Sequence, residues 1–369
     1  MREPREVINV RSLVEDAIRR NAQPAAKADE FAQPRIVVVG CGGAGNNMVN
    51  RIAQMGVKGA ELIAINTDKQ HLSMLSDDIT KILIGGSVTR GLGAGGNPEV
   101  GQKAAEVSRQ ALETALEGAD LVFVLAGLGG GTGTGSAPVV AQIAKEQGAI
   151  VVAMVTYPFR LERARMNNAD EGLVRLAQHA NTVIVIDNNR LVELVPNLPL
   201  NDALKVADEV IAKTIQGLAE TITQPSVFKN IDFADIRAIM TGGGLSVISV
   251  GEGRGVNKVQ DVVEDTLKNA LLDVDVTGAT GVLIHITGGS DLTLGEAADI
   301  GELLTERVDP KATVVWGARI DPSFQDRVRV IAIFTGVSSN FIKGPVGNSS
   351  AARDYTSMAE EIPGLDYLR

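Results

Sequence analysis

The amino-acid sequence predicts an α/β protein: a doubly wound, mostly parallel sheet, a long central helix and a smaller mixed α/β second domain. Three observations predict it. Between Arg35 and about residue 195, short apolar runs alternate with helical segments, as expected of strands covered by helices on both faces. A helical stretch then runs from Asn201 to Thr223, about 23 residues or ~35 Å at 1.5 Å per residue, long enough for a spine between two domains. Beyond it, further strand-like runs enclose two more helical segments.

In chain order, residues 7–20 place Val7, Val10, Leu13, Val14, Ala17 and Ile18 at helical spacing among charges. This predicts a short amphipathic helix docked on the body or on a neighbour. Glu15 and Asp16 beside the arginines disfavour a membrane surface. Residues 21–33 are rich in alanine, proline and charge and read as a linker, so 1–33 form an N-terminal helix and linker. RIVVV (35–39), ELIAI (61–65), KILI (81–84), DLVFVLA (120–126), AIVVAMV (149–155) and NTVIVID (181–187) read as buried strands. Helices are expected at 46–55, 99–117, 134–147 and 162–180, giving a first domain over 34–200 and a central helix over 201–224. Strands at 245–250, 281–287, 312–318 and 327–335, with helices at 257–271 and 293–307, form a second domain over 225–337. From Ser338 the chain turns rich in serine, glycine and asparagine and ends in MAEEIPGLDYLR. Residues 338–369 thus read as a flexible tail with a terminal partner-binding peptide.

Composition narrows the function. A net charge of −10 without any run of lysine and arginine, and only 3% aromatic residues, argues against nucleic acid as a partner. No stretch approaches 18 uncharged apolar residues, and the first 20 residues lack the apolar core of a signal peptide, so no direct membrane insertion is expected. The single cysteine, Cys41, fits a reducing cytoplasm. The 40 glycines exceed the roughly 7% average and come in clusters, as loops built for close backbone approach do.

Four motifs carry the chemistry. GCGGAGNN (Gly40 to Asn47) follows a strand and opens a helix, so the N–H groups of a helix N-terminus are offered to phosphate. Through Gly40, Gly42 and Gly45 it also satisfies a dinucleotide fingerprint, with Asp68 where an acidic residue is wanted. That leaves an NAD-binding oxidoreductase open at this point. AGLGGGTGTGSAP (Ala126 to Pro138) contains seven successive glycines and threonines, Gly129 to Gly135. Such a loop costs much backbone entropy to order and suits wrapping phosphates, with hydroxyls from Thr132 and Thr134. No Lys-Ser/Thr follows, which excludes a classical P-loop. TRGLGAGGNPEVG (Thr89 to Gly101) is a third glycine-rich loop. Three such loops at the carboxyl edge of one sheet suit a nucleoside triphosphate. NIDFADIR (Asn230 to Arg237) sets Asp232 and Asp235 three apart beside Asn230, read either as helix capping or as a cluster that positions a water. The ~35 Å helix before it puts this cluster out of reach of the chain's own loops.

These motifs in this order resemble the tubulin/FtsZ superfamily and, within it, the archaeal-type FtsZ branch, over roughly residues 35–336. GGGTGTG is similar to the superfamily signature, and NIDFADIR to the loop that completes a neighbour's active site. NTDKQHL, DNNRLVELVPNLPLNDAL and LLDVDVTGATGVLIHITGG are similar to archaeal members. The resemblance implies a GTPase that binds GTP/GDP with Mg²⁺, forms a head-to-tail homopolymer and works in cell division at midcell in the cytoplasm. It places Gly42, Gly43 and Asn47 in the first phosphate loop, with Asn47 near the base. Asp68 falls near magnesium and phosphate, and Ala94, Gly95 and Gly96 at the γ-phosphate. Gly130, Gly131, Thr132, Gly133 and Thr134 cradle the phosphate chain, and Glu162 and Arg165 approach ribose and phosphates. Asn188 and Asp208 meet the guanine edge. Asn230, Asp232 and Asp235 act catalytically on the next subunit's nucleotide. Leu204 stands where many members have a stacking Phe, and EIPGLDYLR resembles the peptide that binds membrane-anchoring division proteins. The alternatives are a superfamily filament for cell shape or DNA partitioning, and the NAD-binding oxidoreductase, which leaves GGGTGTG and NIDFADIR unexplained.

Overall fold

A computed structural model describes residues 34–190, 197–223, 233–241, 245–268 and 276–337. The helix and linker expected over 1–33, the tail over 338–369, and Asn230 and Asp232 lie outside the described residues.

The expected strands form β1 (Ile36–Cys41), β2 (Glu61–Asn66), β3 (Thr80–Leu83), β4 (Leu121–Gly127), β5 (Ile150–Tyr157) and β6 (Thr182–Asp187). β7 (Leu245–Arg254), β8 (Gly281–Gly288), β9 (Thr313–Ile320) and β10 (Arg327–Thr335) follow. All join one sheet in the order β3-β2-β1-β4-β5-β6-β7-β10-β8-β9. The first six are parallel, and β6 continues into β7 through the parallel pairs Val183–Leu245 and Ile184–Ser246. β10 lies antiparallel between β7 and β8. Alternate residues of one strand enter opposite cores: Val37 and Val39 on one face, Ile36 and Val38 on the other. Both faces are covered, which is why these strands read as continuous apolar runs.

The helices are α1 (Gly42–Gln54), α2 (Lys69–Ser73), α3 (Gly86–Thr89), α4 (Pro98–Val107), α5 (Arg109–Leu116), α6 (Thr132–Glu146) and α7 (Arg163–His179). They continue with α8 (Leu200–Thr223), α9 (Phe233–Thr241), α10 (Lys258–Lys268) and α11 (Leu294–Thr305). α8 is the central helix. It buries Ala207, Ile211, Ile215, Leu218 and Ala219, a stripe at steps of three and four, against the sheet face that also holds Met48, Val49 and Ile52 of α1.

Three of the expected helices depart from their bounds. The segment 99–117 breaks at Ser108, whose hydroxyl accepts from Gly85 N–H at 2.9 Å instead of leaving the helix continuous. The first helix begins at Gly42 rather than residue 46, and α6 at Thr132 rather than 134. The glycines Gly42, Gly43 and Gly45 are therefore the opening turn of a helix, not a loop ahead of it. The N–H groups of such a turn have no partner within the helix, so both openings are ready donors.

Candidate nucleotide-binding site

The carboxyl ends of β1, β4, β5 and β6 surround a cavity of about 400 Å³. Its floor is made by the openings of α1 and α6, through Gly43, Ala44 and Gly130 to Gly133. Helices of 13 and 15 residues thus direct their N–H groups and positive dipole ends at one space, an arrangement suited to an anion.

Close contact between the glycine segments builds this floor, and it sorts their glycines into two kinds. Gly42 has φ +71, and a Cβ there would lie 2.6 Å from Gly133 N. A Cβ on Gly45 would overlap Leu125 O, one on Gly135 would overlap Pro98 O, and one on Gly131 would lie 2.8 Å from Asn97 N and 2.9 Å from the Ala94 Cβ. These glycines let backbone pack on backbone. Among the described residues, a Cβ on Gly130, Gly95 or Gly96 would meet nothing within 4 Å, and one on Gly43 would meet only His71 Nε2 at 3.9 Å. These face open space. Asn46, fully buried, locks the first turn by donating to Gly40 O at 2.8 Å and accepting from Asn66 Nδ2 at 3.0 Å.

The two threonines of the second motif also part company. Thr132 reaches the cavity wall, its hydroxyl hydrogen-bonded to Thr67 Oγ1 at 2.7 Å. Thr134 is fully buried with its hydroxyl unpartnered, and its methyl stands where a Cβ on Gly172 of α7 would fall. Two residues apart on a helix are about 200° apart around its axis, so both cannot face one ligand. The Thr134 hydroxyl, expected beside that of Thr132, is buried off the wall. Gly42 serves the packing of the two openings rather than the cavity wall. The carboxylate of Asp68 caps α2, accepting from Gln70 N at 2.9 Å and His71 N at 3.2 Å, and it is not on the wall. Ala94, Gly95 and Gly96 also stand off the wall, in the loop that packs against Gly131.

At the other end of the cavity stand Asn47 and Met48 of α1, Asn188 after β6, and Leu204, Ala207 and Asp208 of α8. Asn188 Oδ1 is buried and has no partner among the described residues. Burial pushes the Asp208 carboxyl up to about 6, against the pull of the Arg51 charge. A desolvated carboxylate and an unpaired amide oxygen are acceptors of the kind that an N–H edge such as guanine's satisfies. Glu162 and Arg165 line the same space and hold each other, with Arg165 Nη1 donating to Glu162 Oε2 at 2.6 Å. Glu162 Oε1 also accepts from Phe159 N at 3.3 Å.

Sequence reasoning missed Thr67, Phe159 and Thr156. Thr156 and Phe159 line the cavity, and Thr67 holds Thr132. Each sits at or just past the carboxyl end of a strand, which was the available signal. Phe159 supplies an aromatic ring to a wall where Leu204 has none.

The fold and cavity define a nucleotide-binding α/β protein that uses two helix openings in place of a P-loop lysine. The description "Tubulin/FtsZ family, GTPase domain" matches residues 35–196, and "FtsZ family, C-terminal domain" matches 244–338. The chain is 61% identical over 339 residues to cell division protein FtsZ 2 of Methanocaldococcus jannaschii, covering 91% of this chain and 88% of that protein. It is 55% identical over 342 residues to cell division protein FtsZ 2 of Halobacterium salinarum, covering 91% and 86%. An empty FtsZ dimer from M. jannaschii superposes with a TM-score of 0.77 at 48% identity, over 88% of this chain and 92% of that one. The chain belongs to the tubulin/FtsZ family and is a tubulin-like GTPase of its FtsZ branch. The oxidoreductase reading of Gly40, Gly42 and Gly45 falls with that finding.

The two kinds of glycine predict opposite phenotypes. Gly135→Ala should lower stability by about 1–3 kcal/mol through overpacking. Gly130→Ala should leave stability within about 0.5 kcal/mol while weakening nucleotide binding. Urea unfolding and GTP titration on both variants check this; equal effects on the two properties would erase the distinction.

Proposed function

We propose that copies of this chain assemble head to tail, and that each bound GTP is hydrolysed where the next copy completes the cavity with Asp235. The position of α9 carries the proposal. Thr182 Oγ1, at the start of β6, donates to Met240 O at 2.8 Å, whereas Asn188, just past the other end of β6, lines the cavity. Six residues of strand separate these ends, ~20 Å at about 3.3 Å per residue. Asp235 is five residues from Met240, and even a straight run back along the helix recovers only ~7.5 Å. Asp235 is exposed on the sheet edge opposite the cavity, so it serves a site on another copy.

In this reading residues 34–200, with Asp208 of the central helix, hold the nucleotide and 225–337 present the activating segment. Asn230 and Asp232 join Asp235 in orienting the attacking water. Phosphoryl transfer asks chiefly for positioning and charge stabilisation, which carboxylates delivered in trans can complement. Gly43, Gly130 to Gly133 and the Thr132 hydroxyl hold the phosphates. Asn188 and Asp208 accept from guanine, which selects GTP over ATP. Because the two contacting surfaces differ, the contact propagates as a filament unless it closes.

Among the described residues no group of three His, Cys, Asp or Glu could hold a metal by itself. Mg²⁺ usually arrives on nucleotide phosphates with one or two carboxylates in support. The Thr132 hydroxyl on the wall and Asp68, which caps α2 off the wall, are the groups we assign to it, and it would neutralise phosphate charge. The terminal peptide Glu361 to Arg369 is assigned to membrane-anchoring division proteins, with cell division at midcell as the setting. Among the described residues no helix is long and apolar enough to cross a membrane.

Phosphate release from GTP, measured against protein concentration with Mg²⁺, tests the proposal. Specific activity should be negligible at low concentration and rise past a threshold. Activity that is constant per molecule would place the catalytic groups within one chain and remove Asp235 from the role given to it.

A further inference from the structure

His71 lies outside the residues so far given to the nucleotide, yet its ring is placed for one. Asp68 Oδ1 accepts its backbone N–H at 3.2 Å, and Lys69 N donates to Gly91 O at 3.0 Å, so the short α2 is tied to the end of β2 and to the third glycine loop. Leu72 and Leu75 make the buried contacts of this turn. The ring of His71 instead turns toward the opening of α1. Among the described residues its Nε2 is the neighbour on the open side of Gly43, 3.9 Å from where a Cβ would stand, and Gly43 lines the cavity.

The two ring nitrogens have different surroundings. Nδ1 is buried with no partner among the described residues, while Nε2 faces Gly43. A neutral imidazole carries one N–H and one bare nitrogen, and the neighbourhood decides which is which. Orphaned buried N–H groups are rarer than under-satisfied acceptors, so Nδ1 is the bare nitrogen and Nε2 carries the hydrogen. An N–H directed at an open glycine of a phosphate-binding turn matches an oxygen that can only accept.

We propose that His71 is a further substrate-contacting residue, its Nε2–H donating to a phosphate oxygen of the nucleotide beside Gly43. This rests on the nucleotide reading of the cavity. It adds a side-chain donor from the β2 edge to the backbone donors of α1 and α6.

The test uses the full chain below its assembly concentration, without divalent cations. The chain has three histidines, His71, His179 and His285, so ¹⁵N spectra of labelled imidazoles can be resolved and His71 identified by its loss in His71→Gln. GTP should move the His71 Nε2 signal, and guanosine, which lacks phosphate, should not. His71→Ala should bind GTP about tenfold more weakly, the loss expected for a hydrogen bond to a charged group. His71→Gln, whose amide nitrogen can take the place of Nε2, should retain most of the affinity. Guanosine binding, read by competition, should be alike in all three proteins. A His71 signal unmoved by GTP overturns the proposal, as does His71→Ala binding GTP like the wild type. Equal losses for GTP and guanosine overturn it too, because they mark a structural role. Wild-type protein that binds no GTP would remove the nucleotide reading itself, and the histidine proposal with it.

Discussion

Asp235→Ala protein is expected to bind GTP and assemble as the wild type does, but to release phosphate about a hundredfold more slowly or worse. That factor is the lower end of what a positioned acid–base group contributes. The variant is a clean probe because Asp235 is exposed, while Ile236, Ile239 and Met240 carry the burial of α9. Its carboxylate lies in the first turn of that helix, where it stabilises the dipole by about 0.3–1 kcal/mol at most, so folding should survive its removal. Sedimentation of polymer, GTP titration and phosphate release on one preparation separate the three properties. Wild-type turnover at a concentration that supports assembly would withdraw Asp235 from catalysis. Lost GTP binding would mean that the segment serves its own chain's cavity, against the separation across β6.

Asp208→Asn is expected to lower GTP affinity about a hundredfold and to gain binding of xanthosine triphosphate. Hydrogen bonds to a charged group contribute ~1.5–3 kcal/mol, and each 1.4 kcal/mol is tenfold. An ionised Asp208 accepts from the guanine ring N–H and amino group, whereas an asparagine also offers donors, which suit the carbonyl that xanthine has instead. The same assignment fixes a pH dependence. Burial raises the free carboxyl to about 6, so it is charged at pH 7 and increasingly neutral below 6. The neutral form loses acceptor strength, so wild-type GTP affinity should fall by up to about tenfold per pH unit below 6. Asp208→Asn should flatten that fall. Unchanged nucleotide preference in the variant, or a flat wild-type profile between pH 5 and 7, would move the base elsewhere in the cavity. For folding, the sign is the reverse of the usual aspartate. A carboxyl raised in the folded protein favours the fold below the unfolded value and loses that benefit as pH rises through about 6.

The strands, the central helix and a nucleotide as ligand are legible in the sequence alone. Those features are local: apolar runs such as RIVVV and DLVFVLA report burial on both faces, and a run like GGGTGTG has few uses other than close backbone approach. Helix openings were less legible, because Gly42 and Thr132 look like loop residues until the turn they begin is seen. Only the tertiary structure decided which glycines leave room for a ligand. Whether a missing Cβ is vacant or filled by Gly133, Leu125 or Pro98 depends on backbone far away in sequence. Thr132 and Thr134 divided for the same reason, since the helix phase that turns one to the cavity buries the other against α7. The placing of β10 between β7 and β8 was also decided there, because pairing is a choice among strands that share one local pattern. The separation of Asp235 from its own cavity was expected from the length of the central helix, and the structure adds which end of β6 each element meets.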